Sequence, residues 1–323
     1  MRNKEKLNKI ALEIREIIDK KQKELELSFV EDTHTYYIKD ENGDITSKFP
    51  SVSTVIKQFY NEFPEHEISF RMSNNDIFEQ DRLLKEWKGE ADYANNKGSR
   101  VHYLLEKDLL AMYGSYKEVR KPIFECDKTQ IEDGNRMIDA GHDFIRAMHR
   151  RGSVLLDTEM ILGSNELKYT GQPDKVWLMY DKGGTLGFII TDWKSNKEKN
   201  FEVHHYTEPM LPPFQHEMDT ALSHYKIQLP LYARLILNML KGSKYENLKF
   251  FGCVIVHLNK FGKYKEIRVP RDFINIVMTM DPLPRIDEVF KYKKMVENME
   301  KERIEKLNNY DPNAIDDTPW FLK

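Results

Sequence analysis

The most informative segment of the chain lies between Gly171-Gln172-Pro173-Asp174 and Asp192-Trp193-Lys194. Between them, the apolar runs 175–180 and 186–191 flank Asp181-Lys182-Gly183-Gly184. Two strand-like runs joined by a short glycine-containing turn predict a β-hairpin. A strand rises by about 3.3 Å per residue, so the end of the second strand returns beside the start of the first. We therefore expect Asp174 and Asp192 to converge.

The Asp192-Trp193-Lys194 triplet differs from similar triplets in the chain by its position at the end of a predicted strand. An acidic residue two positions before a lysine also occurs at Asp19, Glu86 and Glu166, but only Asp192 ends a buried-strand pattern. Alternation along a strand places Asp192 and Lys194 on the same face. Two converging carboxylates suit a hard divalent cation such as Mg²⁺, which prefers oxygen ligands. The sequence therefore predicts a metal site with a lysine beside it.

Composition limits the classes of protein to which the chain can belong. The 323 residues are 40% hydrophobic and carry a formal net charge of -3, so any nucleic-acid contact requires a local basic surface. The two cysteines, Cys126 and Cys253, are too few for an iron-sulfur cluster or a four-thiolate zinc site. No signal peptide or membrane-spanning run is evident, and we expect a cytoplasmic protein, in the host cytoplasm if the source is viral. The chain also lacks a P-loop, so no nucleotide cofactor is expected.

The pattern along the chain predicts a mixed α/β fold. Residues 64–97 are polar and poorly periodic, apart from a helical piece near Trp87, and suggest a mobile loop or small subdomain. Helical periodicity is found at 4–28, from 98 onward, and at 130–150, 218–240 and 283–309. Strands are expected at 34–39, 45–49, 154–162, 175–180, 186–191 and 250–258. The turn that begins at Pro50-Ser51 offers an N-cap for a following helix.

Five motifs in order resemble the RecB-like branch of the PD-(D/E)XK nucleases. They are Gly98–His102 on a helix, Glu159 in a strand, Gly171–Asp174, Asp192–Lys194 and Gln228–Tyr232. The resemblance covers roughly residues 98 to 260. The segment from His34 to Phe59 is also similar, more loosely, to phage and mitochondrial genome-maintenance exonucleases of this branch. The resemblance implies a restriction-endonuclease-like mixed sheet flanked by helices, with N- and C-terminal helical additions.

The resemblance also implies roles for individual residues. His102, Asp174, Asp192 and the backbone carbonyl of Trp193 would bind Mg²⁺ or Mn²⁺, and Lys194 would orient or activate the attacking water. Glu159 would assist a second cation or hold Lys194. Gln228 and Tyr232, one helical turn apart, would face the active site or the DNA backbone.

Other interpretations remain open for some of these residues. Asp174 also suits the start of an ordinary strand, and Tyr232 suits an ordinary core position. A buried Gln228 amide, in contrast, needs hydrogen-bond partners. Side chains that are candidates to grip a single strand are Tyr103, Arg146, Arg150, Arg151, Phe214 and Tyr225.

We expect four segments: an N-terminal amphipathic helix (1–30), a hairpin, helix and polar loop region (31–97), a nuclease core (98–270) and a C-terminal helix and tail (271–323). The expected activity is metal-dependent hydrolysis of DNA phosphodiesters, by an exonuclease acting on single-stranded or frayed ends. A helicase or a replication or recombination partner would supply any unwinding. The alternatives are a structure-specific endonuclease and a non-catalytic nucleic-acid-binding or assembly protein that keeps the fold.

Overall fold

The computed structural model describes residues 2–30, 35–39, 45–113, 119, 121–205 and 207–309. Its strands are β1 (Leu27–Val30), β2 (Thr35–Lys39), β3 (Ile45–Phe49), β4 (Val154–Thr158), β5 (Leu162–Ser164), β6 (Tyr169–Gly171), β7 (Lys175–Tyr180), β8 (Leu186–Lys194), β9 (Lys249–Leu258) and β10 (Tyr264–Arg268). Its α-helices are α1 (Arg2–Glu24), α2 (Val52–Ile56), α3 (Glu65–Met72), α4 (Ile77–Met112), α5 (Lys128–Arg150), α6 (Ala221–Met239), α7 (Arg271–Thr279) and α8 (Ile286–Asn308). The chain is thus mixed α/β.

A five-stranded mixed sheet in the order β10-β9-β8-β7-β4 forms the centre of the fold. Only β8 and β9 run parallel, and α6 lies between them in the chain. The two faces alternate along the strands, as the pleat requires. Val176 and Ile190 belong to a core shared with α1, α6 and α7, whereas Trp177 and Trp193 belong to a second core shared with α4 and α5. Helices therefore cover both faces of the sheet.

The central hairpin confirms the prediction from the sequence. β7 and β8 pair antiparallel, with Lys175 opposite Thr191 and Tyr180 opposite Leu186. The turn closes through a bond from the Asp181 N–H to the Thr185 carbonyl, and Gly184 adopts a φ of 80°, which favours glycine. This register brings Asp174 to the row occupied by Asp192.

Helix ends are set by side chains that the sequence makes available. The Ser51 hydroxyl accepts the Thr54 N–H and caps α2, as predicted. Asp127 and Gln130 form a reciprocal capping box at the start of α5, and Thr220 caps α6. The turn between the predicted strands 34–39 and 45–49, and the predicted tail beyond residue 309, lie outside the described residues.

The structure corrects one of the two interpretations of residues 64–97, the mobile loop, and agrees with the other, a small subdomain, because Glu62–Asp92 belong to a second compact unit. Instead of a loop, this region contains α3 and the first part of α4, which runs without a break from Ile77 to Met112. Its charged side chains form ion pairs along the helix, such as Arg82 with Glu79 and Glu86. Residues three and four apart meet on a helix surface, and such contacts support a helix without a strong apolar stripe.

Several short elements also differ from the prediction. The expected strand over 154–162 is broken, because β4 ends at Thr158 and a separate pair, β5 and β6, follows. The strand β10 and the helix α7 were not predicted. Antiparallel pairing with β9 defines β10, and this contact depends on the tertiary structure.

The described chain forms two compact units. One comprises Tyr93–Pro284 together with the described residues up to Asn61, and the other comprises Glu62–Asp92 together with the described residues from Arg285 onward. The central sheet and the residues implied by the resemblance all lie in the first unit. No helix in the described part of the chain is both long and apolar enough to cross a membrane.

Candidate active site

Four charged side chains lie at one end of the central sheet. Asp174 and Lys175 are at the start of β7, and Asp192 and Lys194 are at the end of β8. Both Lys175 and Asp192 are only 2% exposed. Burying a charge costs free energy unless the charge is paired, so each of these groups is expected to have a partner of opposite charge or a hydrogen bond.

Asp192 and Lys194 form the closest pair of the site. Lys194 Nζ lies 2.6 Å from Asp192 Oδ2, as expected for side chains two residues apart on one strand face. This carboxylate oxygen is buried and accepts no hydrogen bond of regular geometry, so the contact is an ion pair with acceptor capacity left over. Burial and the neighbouring Asp174 raise the pKa of Asp192 to about 7. Burial acts to lower the pKa of Lys194, but Asp192 and Asp174 outweigh it and raise that pKa.

Asp174 is surrounded by positive and donor groups. Its Oδ2 accepts the backbone N–H of Trp193 at 3.0 Å and lies 3.5 Å from Lys175 Nζ and 3.4 Å from His102 Nδ1. Burial raises the pKa of Asp174, but Lys175, His102 and Lys194 together hold it below its usual range. The two carboxylates therefore differ: Asp174 is the stronger acid, and Asp192 binds a proton more readily.

His102 reaches the site from α4. Burial is the largest effect on the pKa of its imidazole and lowers it, and Lys175 and Lys194 act in the same direction. The neutral ring is the form that can donate a lone pair to a metal. The His102 ring and the Trp193 N–H both contact Asp174 Oδ2, so Asp174 brings together three of the residues named by the resemblance.

An aromatic ring and a polar network hold Lys194 from the other side. The ring of Tyr225, on α6, lies 4.1 Å from Lys194 Nζ, which is a cation–π distance. The Tyr225 hydroxyl donates to Asn196 Oδ1 at 3.3 Å, and the Asn196 carbonyl lies 2.8 Å from His257 Nε2. His257 is buried and stands opposite Lys194 in the β8–β9 register. The lysine is thus positioned by contacts from two further elements.

Glu159, Gln228 and Tyr232 occupy more peripheral positions. Glu159 follows β4 instead of lying within it, which corrects the expected strand position. It has a positive φ of 44°, and its N–H donates to the Asp174 carbonyl at 3.2 Å. Gln228 Nε2 donates to the Tyr232 hydroxyl at 2.9 Å, and the Tyr232 ring packs against Gly171. These residues brace the segment that leads into Asp174.

The side chains expected to contact single-stranded DNA lie in different environments in the structure. Phe214 is 2% exposed and packs against Phe59 and Phe273, so this expectation is wrong, because a core side chain cannot stack on a base. Arg146 pairs with Asp143, and Arg151 pairs with Glu266. Tyr225 lies at the site, but in contact with Lys194.

Lys175 is a site residue that the sequence analysis missed. Its ammonium group lies 4.5 Å from the centroid of the Trp193 ring as well as beside Asp174. A lysine at the first position of an otherwise apolar strand was the available signal, because a buried ammonium group requires an anionic or aromatic partner.

The donor chemistry of the site suits a divalent cation. Asp174 and Asp192 supply carboxylate oxygens, Asp192 Oδ2 has unused acceptor capacity, and His102 supplies a neutral nitrogen. Among the described residues, however, no three His, Cys, Asp or Glu side chains are already grouped as a metal centre. Instead, the ammonium groups of Lys175 and Lys194 neutralise the two carboxylates.

No protein-family model matches the chain. No curated protein sequence is significantly similar to it either. Conclusions about function therefore rest on the motifs and on the geometry of the site.

Proposed function

We propose that this chain is a metal-dependent nuclease of the RecB-like branch with a restriction-endonuclease-like core, which hydrolyses DNA phosphodiester bonds. The Asp192–Lys194 ion pair beside Asp174, at one end of a mixed sheet covered by helices, is the observation that carries the proposal. A protein that only binds DNA has no physical need to bury these charged groups together at a sheet end. The preference for exonuclease activity on single-stranded or frayed ends rests on the resemblance.

Asp174, Asp192, His102 and the Trp193 carbonyl would hold Mg²⁺ or Mn²⁺. When bound, such an ion lowers the pKa of a water molecule and polarises the scissile phosphate. Asp174 stays ionised at neutral pH because the ammonium groups of Lys175 and Lys194 and the Trp193 N–H hold its pKa low. The Lys194 ammonium group, oriented by Asp192 and Tyr225, supplies positive charge where a phosphate oxygen becomes more negative.

Cleavage of two substrates of one sequence tests the proposal. End-labelled linear single-stranded DNA and a closed single-stranded circle are incubated with Mg²⁺, Mn²⁺ or EDTA, beside the matching RNA. We expect metal-dependent loss of the linear DNA and an intact circle, and the position of the label gives the polarity of digestion. Cutting of the circle would instead identify an endonuclease.

Two lysine variants provide the decisive comparison. Lys194→Ala is expected to reduce cleavage about 100-fold or more, as for loss of a donor to a charged transition state. Lys241→Ala is the matched control, because Lys241 also pairs with a carboxylate, that of Glu166, but both side chains are 61% exposed. Wild-type cleavage by Lys194→Ala would refute the assignment, and absence of cleavage by the wild type would favour the binding or assembly alternative.

A further inference from the structure

The tip of the β9–β10 hairpin presents an aromatic ring among lysines. Phe261 is 74% exposed, more than any other phenylalanine for which the structure describes burial. The segment Asn259-Lys260-Phe261-Gly262-Lys263-Tyr264-Lys265 contains three lysines and no acidic residue. Lys260 Nζ lies 5.5 Å from the centroid of the Phe261 ring. This tip therefore combines a flat apolar surface with positive charge in a chain whose net charge is -3.

The backbone of this tip is well ordered by hydrogen bonds. Asn259 Oδ1 accepts the N–H groups of Phe261 at 3.0 Å and Lys263 at 3.1 Å. The Asn259 N–H donates to the Lys263 carbonyl at 3.0 Å, and Arg136 Nε donates to the Lys260 carbonyl at 2.6 Å. The ring is thus held outward by a fixed turn, which reduces the conformational entropy lost when a ligand binds.

Strand register places the tip at the same end of the sheet as the candidate active site. Lys194 on β8 stands opposite His257 on β9, and His257 stands opposite Lys265 on β10. β9 ends at Leu258, so the tip begins directly beyond the row that contains Lys194. Neighbouring strands are about 4.8 Å apart, which puts the base of the hairpin within roughly 10 Å of β8.

We propose that residues 259–263 bind single-stranded nucleic acid next to the active site. A nucleobase stacks on Phe261, and Lys260 and Lys263 pair with backbone phosphates. Exposed aromatic rings beside cationic side chains are the chemistry by which proteins hold single strands without sequence preference. This inference rests on the proposed nuclease function and adds the surface that would guide the strand toward Lys194.

Binding of labelled oligonucleotides tests the proposal separately from cleavage. All variants are made in a Lys194→Ala background and measured in EDTA, with fluorescein-labelled oligothymidylate and oligouridylate as ligands and anisotropy as the readout. Phe261→Ala is expected to weaken binding about fivefold or more, whereas Phe261→Trp retains affinity and shows indole fluorescence quenched by the stacked base. Ile276→Ala, which removes a 40% exposed side chain of α7, is the matched control and leaves affinity unchanged.

The salt dependence of binding tests the two lysines. Replacing both Lys260 and Lys263 by alanine is expected to reduce the slope of log affinity against log salt by about 1.4, since each contact between a cation and a phosphate of a single strand contributes about 0.7. If the affinity for either oligonucleotide depends on Phe261, the proposal is supported. The oligonucleotide that binds more tightly identifies DNA or RNA as the preferred strand.

Three results would overturn the proposal that residues 259–263 bind single-stranded nucleic acid. Phe261→Ala binding as tightly as its parent would remove the stacking role, and a parent that binds neither oligonucleotide would remove the surface altogether. A loss of self-association in Phe261→Ala, with nucleic-acid affinity unchanged, would assign the tip to a protein interface. The nuclease proposal is judged independently by the dependence of cleavage on Lys194.

Discussion

Two acids and two lysines form an internally neutral set at the end of β7 and β8. Each carboxylate has an ammonium partner, Lys175 for Asp174 at 3.5 Å and Lys194 for Asp192 at 2.6 Å. A buried ion pair adds little to stability compared with a well-packed apolar pair, but removing one partner leaves the other charge without compensation. These buried charges therefore lower the stability of the fold locally, and the proposed catalytic role accounts for their presence.

Lys175→Met tests this pairing at the level of a single residue. The substitution keeps much of the side-chain volume but leaves Asp174 without its ammonium partner, so the free energy of unfolding should fall by about 1–3 kcal/mol. Urea unfolding measures the change. Asp174→Asn combined with Lys175→Met should cost less than the sum of the two single substitutions, and strict additivity would contradict coupling between these groups.

Tyr225 should act through Lys194. Tyr225→Leu removes the ring beside the ammonium group and should lower kcat about 5- to 30-fold, which corresponds to roughly 1–2 kcal/mol for a desolvated cation–π contact. Tyr225→Phe keeps the ring and loses only the bond to Asn196, so it should retain most of the activity. Rescue by phenylalanine but not leucine, with KM unchanged, separates positioning of the lysine from a general loss of folding. Equal activity of the two variants would argue against the ring contact.

At the level of secondary-structure elements, α6 packs closely against Gly171, the last residue of β6. A Cβ at this position would lie 2.5 Å and 2.7 Å from two carbon atoms of the Tyr232 ring and 2.8 Å from a Val52 methyl. Contacts this short cannot form without displacing buried side chains. The glycine of the Gly171–Asp174 motif is therefore required by the close approach of α6 and α2.

Gly171→Ala should destabilise the protein by about 1–3 kcal/mol through overpacking. Gly89→Ala is the matched control: apart from the backbone of α4 and the neighbouring residues in the chain, no atom lies within 4 Å of the added Cβ. It should stabilise the chain by roughly 0.5–1 kcal/mol because alanine favours helix. Thermal or urea unfolding measures both. If Gly171→Ala were as stable as the wild type, the close packing around Tyr232 would be wrong.

At the scale of the whole molecule, the smaller unit has its own charged centre. Arg303 contacts both carboxylate oxygens of Glu300 at 2.7 Å and Asp81 at 2.6 Å, and Lys85 also lies 2.6 Å from Asp81. Hydrogen bonds from Arg303 are the largest effect on the pKa values of Asp81 and Glu300 and lower both. This network joins α8 to the first part of α4 within the unit.

Arg303→Met should destabilise this unit by about 1 kcal/mol, a value reduced by the partial exposure of the carboxylates. Hydrogen exchange should accelerate in α3 and α8, while amides of β8 remain protected. Because the folded pKa values of Asp81 and Glu300 are lowered, their stabilisation is present above the unfolded carboxylate pKa values and is lost as pH falls through the folded values. The variant should lose most of this acid sensitivity, with a remainder from the Lys85–Asp81 pair, and an unchanged pH dependence would contradict the network.

Local sequence patterns are sufficient to predict the central hairpin and the Asp192–Lys194 pair at its end. Strand period and turn chemistry act over a few residues, so Asp192 and Lys194 on one face, and Asp174 beside them, follow from local rules. The order of the five motifs suggested His102, although its helix begins at Ile77 and not at Gly98. The short break after Thr158 and the strand β10 escaped prediction because their pairing partners are set by tertiary contacts.

The surroundings of the charged groups, in contrast, depend on contacts between elements that are distant in the chain. Lys175 meets Trp193 across a strand pair, Tyr225 reaches Lys194 from a helix about thirty residues onward in the chain, and His257 supports the site from β9. Local periodicity assigns a residue to a face but not to a partner on another element. Burial raises the pKa of both carboxyls, and the cations around Asp174 reverse the shift there but not at Asp192. This difference in environment exists only once the helices cover both faces of the sheet.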